Sequence, residues 1–288
     1  MSLETPKVAL VAFVYPVAEP YYRETLASMQ AQSYIDMDLI VINDGLDCVD
    51  VPESMELRFN DGCLGLVPLR EQVFNSLIDE GYDLVIHIDP DDTMSEDRVE
   101  GVVNAWNKQP KAGFYYSSLH YMSQPELPFF SELPEDIKAI DEVLASNCIG
   151  LSHFSFNAKL LRELNFRFAF PAELIALDWY MASVMLEEGM FGVKDAGRVY
   201  YRIYEDNTAG ELKELSIEKY TRAVDVKLQH YLALRALSLS DEHNAFALGE
   251  TERLIEIKEK IDTEQDIGLV AVNSKLSQNT KNYWWANI

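Results

Sequence analysis

The feature of this sequence that most restricts its fold is the alternation of continuous apolar runs with amphipathic segments along its first two thirds. The apolar runs, which predict strands, cover 8–15, 38–43, 83–88 and 113–120. The segments with apolar residues at helical spacing cover 19–32, 67–80 and 95–106. Such continuous runs are typical of central parallel strands that are covered on both faces. The pattern therefore predicts an α/β protein with a mostly parallel sheet flanked by helices.

The rest of the chain does not continue the alternation of strands and helices. Three prolines between 125 and 134 predict an irregular surface excursion. From about 211 to 264 the apolar spacing is helical, which predicts two long helices followed by a looser tail. We therefore divide the chain into an α/β domain at 1–210 and a helical C-terminal appendage at 211–288.

The charge balance narrows the classes of partner. The 288 residues carry 48 Asp and Glu against 24 Lys and Arg, a formal net charge of −24 at pH 7. A protein that binds nucleic acid needs cations to displace counterions from phosphates, so we expect no nucleic-acid partner. We see no signal peptide and no apolar run of the roughly eighteen residues that a transmembrane helix needs. We therefore expect a cytoplasmic protein without a transmembrane segment, for which peripheral contact with a membrane stays open.

Acidic residues follow two of the predicted strands, at the edge where open α/β sheets bind ligands. Asn43 and Asp44 end the second strand, and Asp89, Asp91 and Asp92 follow the third. Asn-Asp-Gly is also a common turn sequence, so a plain turn is an equal alternative for Asp44. Three carboxylates within four residues repel one another, and a hard divalent cation that shares its ligands with substrate phosphates removes that repulsion. The cluster therefore predicts a metal–diphosphate site.

Taken in order, these segments resemble the GT-A glycosyltransferases of family 2, inverting enzymes that use nucleotide-diphospho-sugars. The matching blocks are VALVAFVYP at 8–16, ETLAS at 24–28, DLIVINDG at 38–45, DLVIHIDPDD at 83–92, LDW at 177–179 and YYRIY at 200–204. The resemblance implies the GT-A fold, a Rossmann-like mixed sheet. It also implies that residues up to about 120 bind the nucleotide-sugar and that the acceptor side lies at about 120–210.

The resemblance also assigns the donor-binding residues. Pro16, Asn43, Asp44 and Arg70 would contact the nucleotide-sugar, with Asp44 near the base and ribose and Arg70 on the base or diphosphate. Asp89 would contact the ribose and the coordination shell of the metal. A UDP-sugar is the favoured donor and a hydroxyl group the acceptor.

The remaining roles concern the metal and the chemistry. Asp91 and Asp89 form the DxD pair, with Asp92 as a further ligand, and the implied cofactor is Mn²⁺ or Mg²⁺. Asp178 matches the general base that takes the proton from the acceptor hydroxyl. Its residue type also suits the N-cap of the helix that follows, and the two roles are compatible.

The sequence departs from the family pattern at several positions. Residues 17–19 differ from the family's loop, Glu71 replaces an asparagine, and Leu177 replaces an acid. Tyr204 stands where the family often has a histidine that could bind the metal, although Glu205 and Asp206 lie close. The absence of membrane spans and of a QxxRW-like segment argues against a processive polysaccharide synthase.

Other functions fit parts of the same pattern. A haloacid-dehalogenase-type phosphatase would use Asp89 as its nucleophile, but its motif normally opens the domain. A non-catalytic GT-A-like module would bind the nucleotide without turnover. A nucleotidyltransferase would need a basic, glycine-rich loop that is missing after the first strand. The expected function is therefore metal-dependent, inverting sugar transfer, in the assembly of surface polysaccharide or a glycoconjugate.

Three further features have open interpretations. His153 is a candidate acceptor-side residue, although a structural role is the more common one. Phe129 and Phe130 would line an acceptor groove or be buried under the loop. The C-terminal helices would pack on the core or form the surface of a homodimer.

Overall fold

A mixed, mostly parallel sheet forms the centre of the protein. The computed structural model describes residues 5–60, 64–204, 215–237, 239–263, 269–276 (without the side chains of 269–271) and 278–288. Within these ranges the strands are β1 (Val8–Val14), β2 (Met37–Asn43), β3 (Met55–Phe59), β4 (Leu84–Ile88), β5 (Thr93–Met94), β6 (Phe114–Tyr121), β7 (Gln124–Pro128), β8 (Asp136–Ile137), β9 (Phe154–Phe156) and β10 (Gly192–Tyr201).

The strand order places the ends of the first and fourth strands side by side. The main path of the sheet is β3-β2-β1-β4-β9-β6-β10-β5, and β7 and β8 pair with β6 and β10. The first four strands of this path are parallel, β9 is antiparallel to both neighbours, and β10 is parallel to β6. The predicted fold class, a mostly parallel α/β sheet, is confirmed.

Helices connect the strands at nearly the predicted positions. They are α1 (Tyr22–Gln30), α2 (Leu66–Asp79), α3 (Arg98–Lys108), α4 (Asp141–Leu144), α5 (Ala158–Glu163), α6 (Leu177–Glu187), α7 (Ile217–Arg235), α8 (Asp241–Asp262) and α9 (Leu269–Leu276). The first helix begins later than the pattern predicts, because a 3-10 turn at Pro16–Ala18 precedes it. Within the described ranges, no helix is both long and apolar enough to cross a membrane.

The core explains the continuous apolar runs. All seven residues of β1 and all five of β4 are buried, as expected for strands with both faces covered. Even His87, in the middle of β4, is 1% exposed, and burial holds its pKa well below the usual value, so the ring is neutral. The central strands β1 and β4 therefore form a closely packed part of the core.

The segment 121–134 corrects one prediction. It contains an exposed edge strand, β7, which forms a hairpin with β6, where the prolines predicted irregular chain. Edge strands tolerate proline because one side of the strand needs no ladder hydrogen bonds. Phe129 and Phe130 follow the hairpin and are 2% and 3% exposed. Of the two alternatives for this pair, burial is the one observed.

The C-terminal helices pack on the α/β part. The ring of His230, on α7, stacks on Trp179 of α6 at a centroid distance of 3.8 Å. The Tyr231 hydroxyl donates to the carbonyl of Leu144, 2.9 Å away. The two long helices predicted for this region are present as α7 and α8. The domain boundary expected near residue 210 lies outside the described residues.

Candidate active site

A cavity of about 370 Å³ opens at the carboxyl ends of β1 and β4. Its wall contains five of the residues that the sequence singles out, namely Arg70, Asp89, Asp91, Asp92 and Asp178. Further parts of the wall come from the segment between β8 and β9, which includes the 3-10 turn at Leu151–His153, and from the end of β10. The size is within the ordinary range of small-molecule sites.

Hydrogen bonds fix the backbone of the acidic cluster from two sides. The hydroxyl of Thr25, on α1, lies 2.8 Å from the carbonyl of Pro90 and 2.7 Å from that of Asp92. The backbone N–H of Asp89 donates to the Ser152 hydroxyl, 3.0 Å away. The same hydroxyl lies 3.0 Å from Asp89 Oδ2 and 2.5 Å from Asp92 Oδ2. These hydrogen bonds hold the chain after β4 to α1 and to the segment before β9.

The chain just after β10 supplies further partners of the cluster. The Tyr204 hydroxyl donates to Asp91 Oδ2, 2.6 Å away. The backbone N–H of Arg202 donates to Asp92 Oδ1 at 2.8 Å, and its Nε donates to the carbonyl of Asp91 at 2.8 Å. Tyr204, one of the positions at which the sequence departs from the family pattern, thus contacts Asp91 directly. Glu205 and Asp206, the other candidates there, lie outside the described residues.

The three carboxylates share an unfavourable electrostatic environment. Burial raises the pKa of Asp89, Asp91 and Asp92, and the negative charge of Asp89 adds to this effect at the other two. The guanidinium of Arg70 acts in the opposite direction on the pKa of Asp89. The cluster therefore favours binding of a proton or a cation.

Arg70 brings a buried positive charge to the same cavity. Its residue is 3% exposed, and its Nε has no hydrogen-bond partner among the described residues. Its Nη1 makes one long contact of 3.4 Å with the carbonyl of Leu66, and its guanidinium lies 4.7 Å from the centre of the Phe13 ring. A buried guanidinium with unused donors is suited to binding an anion such as a phosphate.

Asp178 lies in the first turn of α6 and accepts three hydrogen bonds. Its Oδ1 accepts from the backbone N–H of Trp179 at 2.5 Å and from Asn147 Nδ2 at 3.2 Å, and its Oδ2 accepts from the backbone N–H of Leu151 at 2.9 Å. Burial raises its pKa to about 7, against the effect of these donors, and the charge of Asp89 adds to the rise. The N-cap of α6 is Ala176, so the capping alternative for Asp178 is not observed.

Three residues predicted to bind the nucleotide do not line the cavity. Asn43 closes its own turn, since its side chain exchanges hydrogen bonds of 2.9 Å with the backbone of Leu46. Asp44 accepts from Asn60 Nδ2 at 3.0 Å. Pro16 is exposed beside Gly45, whose φ of 96° is a conformation that favours glycine. A nucleotide would contact these residues only outside the cavity, and their role stays a prediction.

Several wall residues were not found by sequence reasoning. Asn147 and Ser152 bond the predicted acids, and Trp284 and Trp285 enter the cavity wall from the C-terminal tail. None of the four belongs to a recognisable motif. The paired tryptophans were the one available signal, because such large apolar side chains rarely stay exposed at the end of a tail.

His153 is part of the wall and is fully buried. Its Nε2 accepts from the backbone N–H of Gly150 at 2.6 Å, so its Nδ1 carries the proton and donates to the carbonyl of Ser117, also at 2.6 Å. Burial lowers its pKa to about 4, and the ring is neutral. Both ring nitrogens are occupied, which favours a structural role.

Comparisons with solved structures identify the fold. TarS 1–349 from S. aureus aligns with a TM-score of 0.54 at 12% identity, over 86% of this chain and 71% of that one. In complex with UDP-GlcNAc it aligns with a TM-score of 0.52 at 14% identity, over 86% and 72%. The mannosyltransferase PcManGT from Pyrobaculum calidifontis, in complex with GDP-Man and Mn²⁺, aligns with a TM-score of 0.54 at 14% identity, over 94% and 79%.

Comparisons of the chain by sequence give no match. No protein-family model matches it, and no curated protein matches it in a sequence search. At 12–14% identity, the likeness to the solved structures is one of fold. The chain has the fold of the GT-A glycosyltransferases.

Proposed function

We propose that this protein is a metal-dependent glycosyltransferase that moves a sugar from a nucleotide-diphospho-sugar to a hydroxyl acceptor, with inversion. The observation that carries the proposal is the set of residues that line one cavity. It combines the Asp89–Asp91 pair, the buried guanidinium of Arg70 and the carboxylate of Asp178. The acid pair, through a bound metal, and the guanidinium would stabilise a diphosphate leaving group. The carboxylate of Asp178 would take the proton from an attacking hydroxyl.

The residues present fit a divalent cation that is shared with the donor. No set of three or more His, Cys, Asp or Glu side chains within the described residues is arranged to hold a metal alone. Asp89 Oδ1 and Asp91 Oδ1, however, accept no hydrogen bond from another described residue, whereas both oxygens of Asp92 have protein partners. Mg²⁺ and Mn²⁺ commonly bind one or two carboxylates together with substrate phosphates.

Asp89 and Asp91 would therefore hold the metal, and Asp92 would position the loop. When bound, the metal would stabilise the negative charge that develops on the leaving diphosphate. Arg70 would donate to the same diphosphate or to the base.

The environment of Asp178 suits a general base. With its pKa raised to about 7 by burial, the carboxylate is about half ionised at neutral pH and is a stronger proton acceptor than an ordinary aspartate. It belongs to α6, a different element of the cavity wall from the acidic cluster. A base separate from the leaving-group site is what an inverting displacement requires.

The class of donor is supported by the structural neighbours. TarS is found with UDP-GlcNAc, and PcManGT with GDP-Man and Mn²⁺. A UDP- or GDP-sugar is accordingly the donor to test first, and the family resemblance favours the UDP-sugars. We further propose that residues 1–210 form the catalytic domain and that the protein is cytoplasmic. The assembly of a surface polysaccharide or glycoconjugate would be its setting.

The C-terminal helices are the proposed surface of a homodimer. Phe246, Leu248 and Ile255 of α8 are 39%, 40% and 42% exposed, which gives this helix apolar contact area. Light scattering on the purified protein would test this, since a monomer at all concentrations contradicts it.

A thermal-shift panel tests the proposed function. Nucleotide-sugars and free nucleotides are added to the protein with Mn²⁺, with Mg²⁺ and with a chelator, and the melting temperature is recorded. At least one nucleotide-sugar should stabilise the protein only with the metal, because ligands of the folded state shift the unfolding equilibrium. With a panel of hydroxyl acceptors added, the same mixture should release nucleoside diphosphate as the sugar passes to an acceptor or to water. Stabilisation without any release would favour the non-catalytic module, and release of phosphate from an aryl phosphate would favour the phosphatase.

A further inference from the structure

We propose that the tail segment 278–288 belongs to the active site, where it fixes Asn147, and that Asn147 in turn orients the carboxylate of Asp178. Asn147 is thus a positioning residue for the general base. This inference rests on the proposed function, in which Asp178 takes the proton of the acceptor.

The tail is docked beside the cavity through its backbone. Trp284 and Asn147 form an antiparallel bridge in which each backbone N–H donates to the other's carbonyl, at 2.8 and 2.9 Å. In the same segment, Asn282 Nδ2 donates to the carbonyl of Phe129, 2.8 Å away. The Ser131 hydroxyl donates to the carbonyl of Thr280 at 2.7 Å. The segment 278–288 is therefore bound at three points to the chain that follows β6.

Aromatic packing holds the same contact in place. The Trp284 indole lies 4.8 Å from the Phe130 ring and 5.4 Å from the Phe129 ring, measured between centroids. Its six-membered ring also lies against Gly150. A Cβ at position 150 would be only 2.7 Å from Cη2 of Trp284. Position 150 is therefore closed to any larger residue unless Trp284 moves. The close approach links the tail directly to the turn that carries Leu151.

Asn147 transmits this docking to Asp178. The residue is 1% exposed, so its side chain has a single environment. Its Oδ1 accepts from the backbone N–H of Ile149 at 2.9 Å, and its Nδ2 donates to the carbonyl of Ile149 at 2.7 Å. The same Nδ2 donates to Asp178 Oδ1 at 3.2 Å. Asn147 is thereby locked in one rotamer, and one of its two amide hydrogens is directed at the candidate base.

Within the described residues, the charged and titratable groups that share the cavity wall with Asp178 include Arg70, Asp89, Asp91, Asp92, His153, Tyr15 and Tyr204. Asp89 at the end of β4 raises the pKa of Asp178, and Arg70 of α2 lines the same cavity. His153 in the 3-10 turn and His230, stacked on Trp179, are both kept neutral by burial, which lowers their pKa. The donors on Asp178 therefore matter for its ionisation, and the hydrogen bond from Asn147 lowers its pKa.

The first test measures the ionisation of Asp178 directly. Aspartate carboxyl carbons are labelled with ¹³C and titrated by NMR without metal or donor, and the Asp178 signal is identified by its loss in Asp178→Asn. Asn147→Ala should raise the pKa of Asp178, since the anion loses a donor. Asn157→Ala is the matched control. Asn157 is equally buried and donates to the carbonyls of Pro110 and Ala112, away from the cavity.

The second test perturbs the tail without touching Asn147. Gly150→Ala should displace the Trp284 ring and raise the pKa of Asp178 in the same direction. Gly249→Ala, on α8, is its control, because a Cβ there meets nothing within 4 Å. This pair keeps the proposal testable even if Asn147→Ala does not fold.

The outcomes separate this inference from the proposed function. If transfer is observed, the acid limb of kcat should move to higher pH in Asn147→Ala, with an unchanged KM for the donor. At low pH, kcat should then fall about tenfold for each pH unit by which the limb moves. If the wild type transfers no sugar but the pKa of Asp178 rises in both variants, the proposed function is wrong and the positioning contact stands. An Asp178 pKa that is unchanged in both Asn147→Ala and Gly150→Ala, or raised equally in the controls, overturns the inference.

Discussion

Replacing Asp178 with asparagine should increase stability at alkaline pH while it removes activity. In the folded protein, burial raises the pKa of this carboxyl from 3.8 to about 7. Between these values the folded state keeps a proton that the unfolded chain has lost, so stability falls as the pH rises. Asparagine resembles the protonated acid in shape and does not ionise. The free energy of unfolding of the variant should therefore not fall with pH through this group.

The magnitude follows from the difference between the folded and unfolded pKa values. A difference of about three corresponds to about 4 kcal/mol once the group is fully ionised in both states. At about pH 5 roughly 1.5 kcal/mol of this is already present, because the unfolded chain ionises first. The stability of Asp178→Asn relative to the wild type should therefore increase by about 2–3 kcal/mol from pH 5 to pH 8.5. Differences in hydrogen bonding that do not depend on pH cancel in this comparison.

Urea unfolding of both proteins at the two pH values measures the effect. Asp47→Asn, which removes an exposed carboxylate from the turn after β2, sets the background for a lost surface charge. The same Asp178→Asn preparation should bind the donor and show little turnover. A stability difference that does not change with pH would refute the assignment of a raised pKa to Asp178. Full transfer activity would refute its role as the base.

Three further substitutions test the donor side and the fold. Asp91→Ala should abolish the Mn²⁺-dependent stabilisation by a nucleotide-sugar, measured by thermal shift. A retained shift would show that Asp91 does not hold the metal. Arg70→Met should lower donor affinity about 10- to 100-fold in calorimetric titration, since charge-assisted hydrogen bonds contribute about 1.5–3 kcal/mol; unchanged affinity would exclude the guanidinium as a donor contact. Gly192→Ala should lower the free energy of unfolding by at least about 1–3 kcal/mol, because its Cβ would lie 2.1 Å from the Phe114 ring; chemical denaturation checks this.

One half of the candidate site, formed by Asp89, Asp91 and Arg70, can be placed from the sequence because its geometry is local. Asp89 and Asp91 follow a buried strand directly, and the edge to which they belong is determined by the parallel order of the sheet. Their convergence with Arg70, on the helix preceding that strand, requires only the right-handed crossover. Strand period and connection rules are sufficient for such a site.

The other half depends on contacts between distant parts of the chain. Asn147 has no motif, and its pairing with Trp284 is set by the aromatic packing of the tail against Phe129 and Phe130. Propensity and periodicity carry no information about such contacts. Asn43 illustrates the opposite limit, since its side chain bonds its own turn and leaves the cavity. Local turn chemistry accounts for the contacts that Asn43 makes in the structure, and its role toward a nucleotide stays a prediction.

Proton NMR of a nucleotide-sugar incubated with the protein tests the central claim most directly. The donor's anomeric signal reports its consumption, and the product's coupling constant reports the configuration at the anomeric carbon. We predict that the donor is consumed only with Mn²⁺ or Mg²⁺ present (Mg²⁺ for the spectra) and that the first sugar product has the opposite anomeric configuration. A donor that stays intact with every acceptor tried, or a product that retains the configuration, would contradict metal-dependent, inverting transfer.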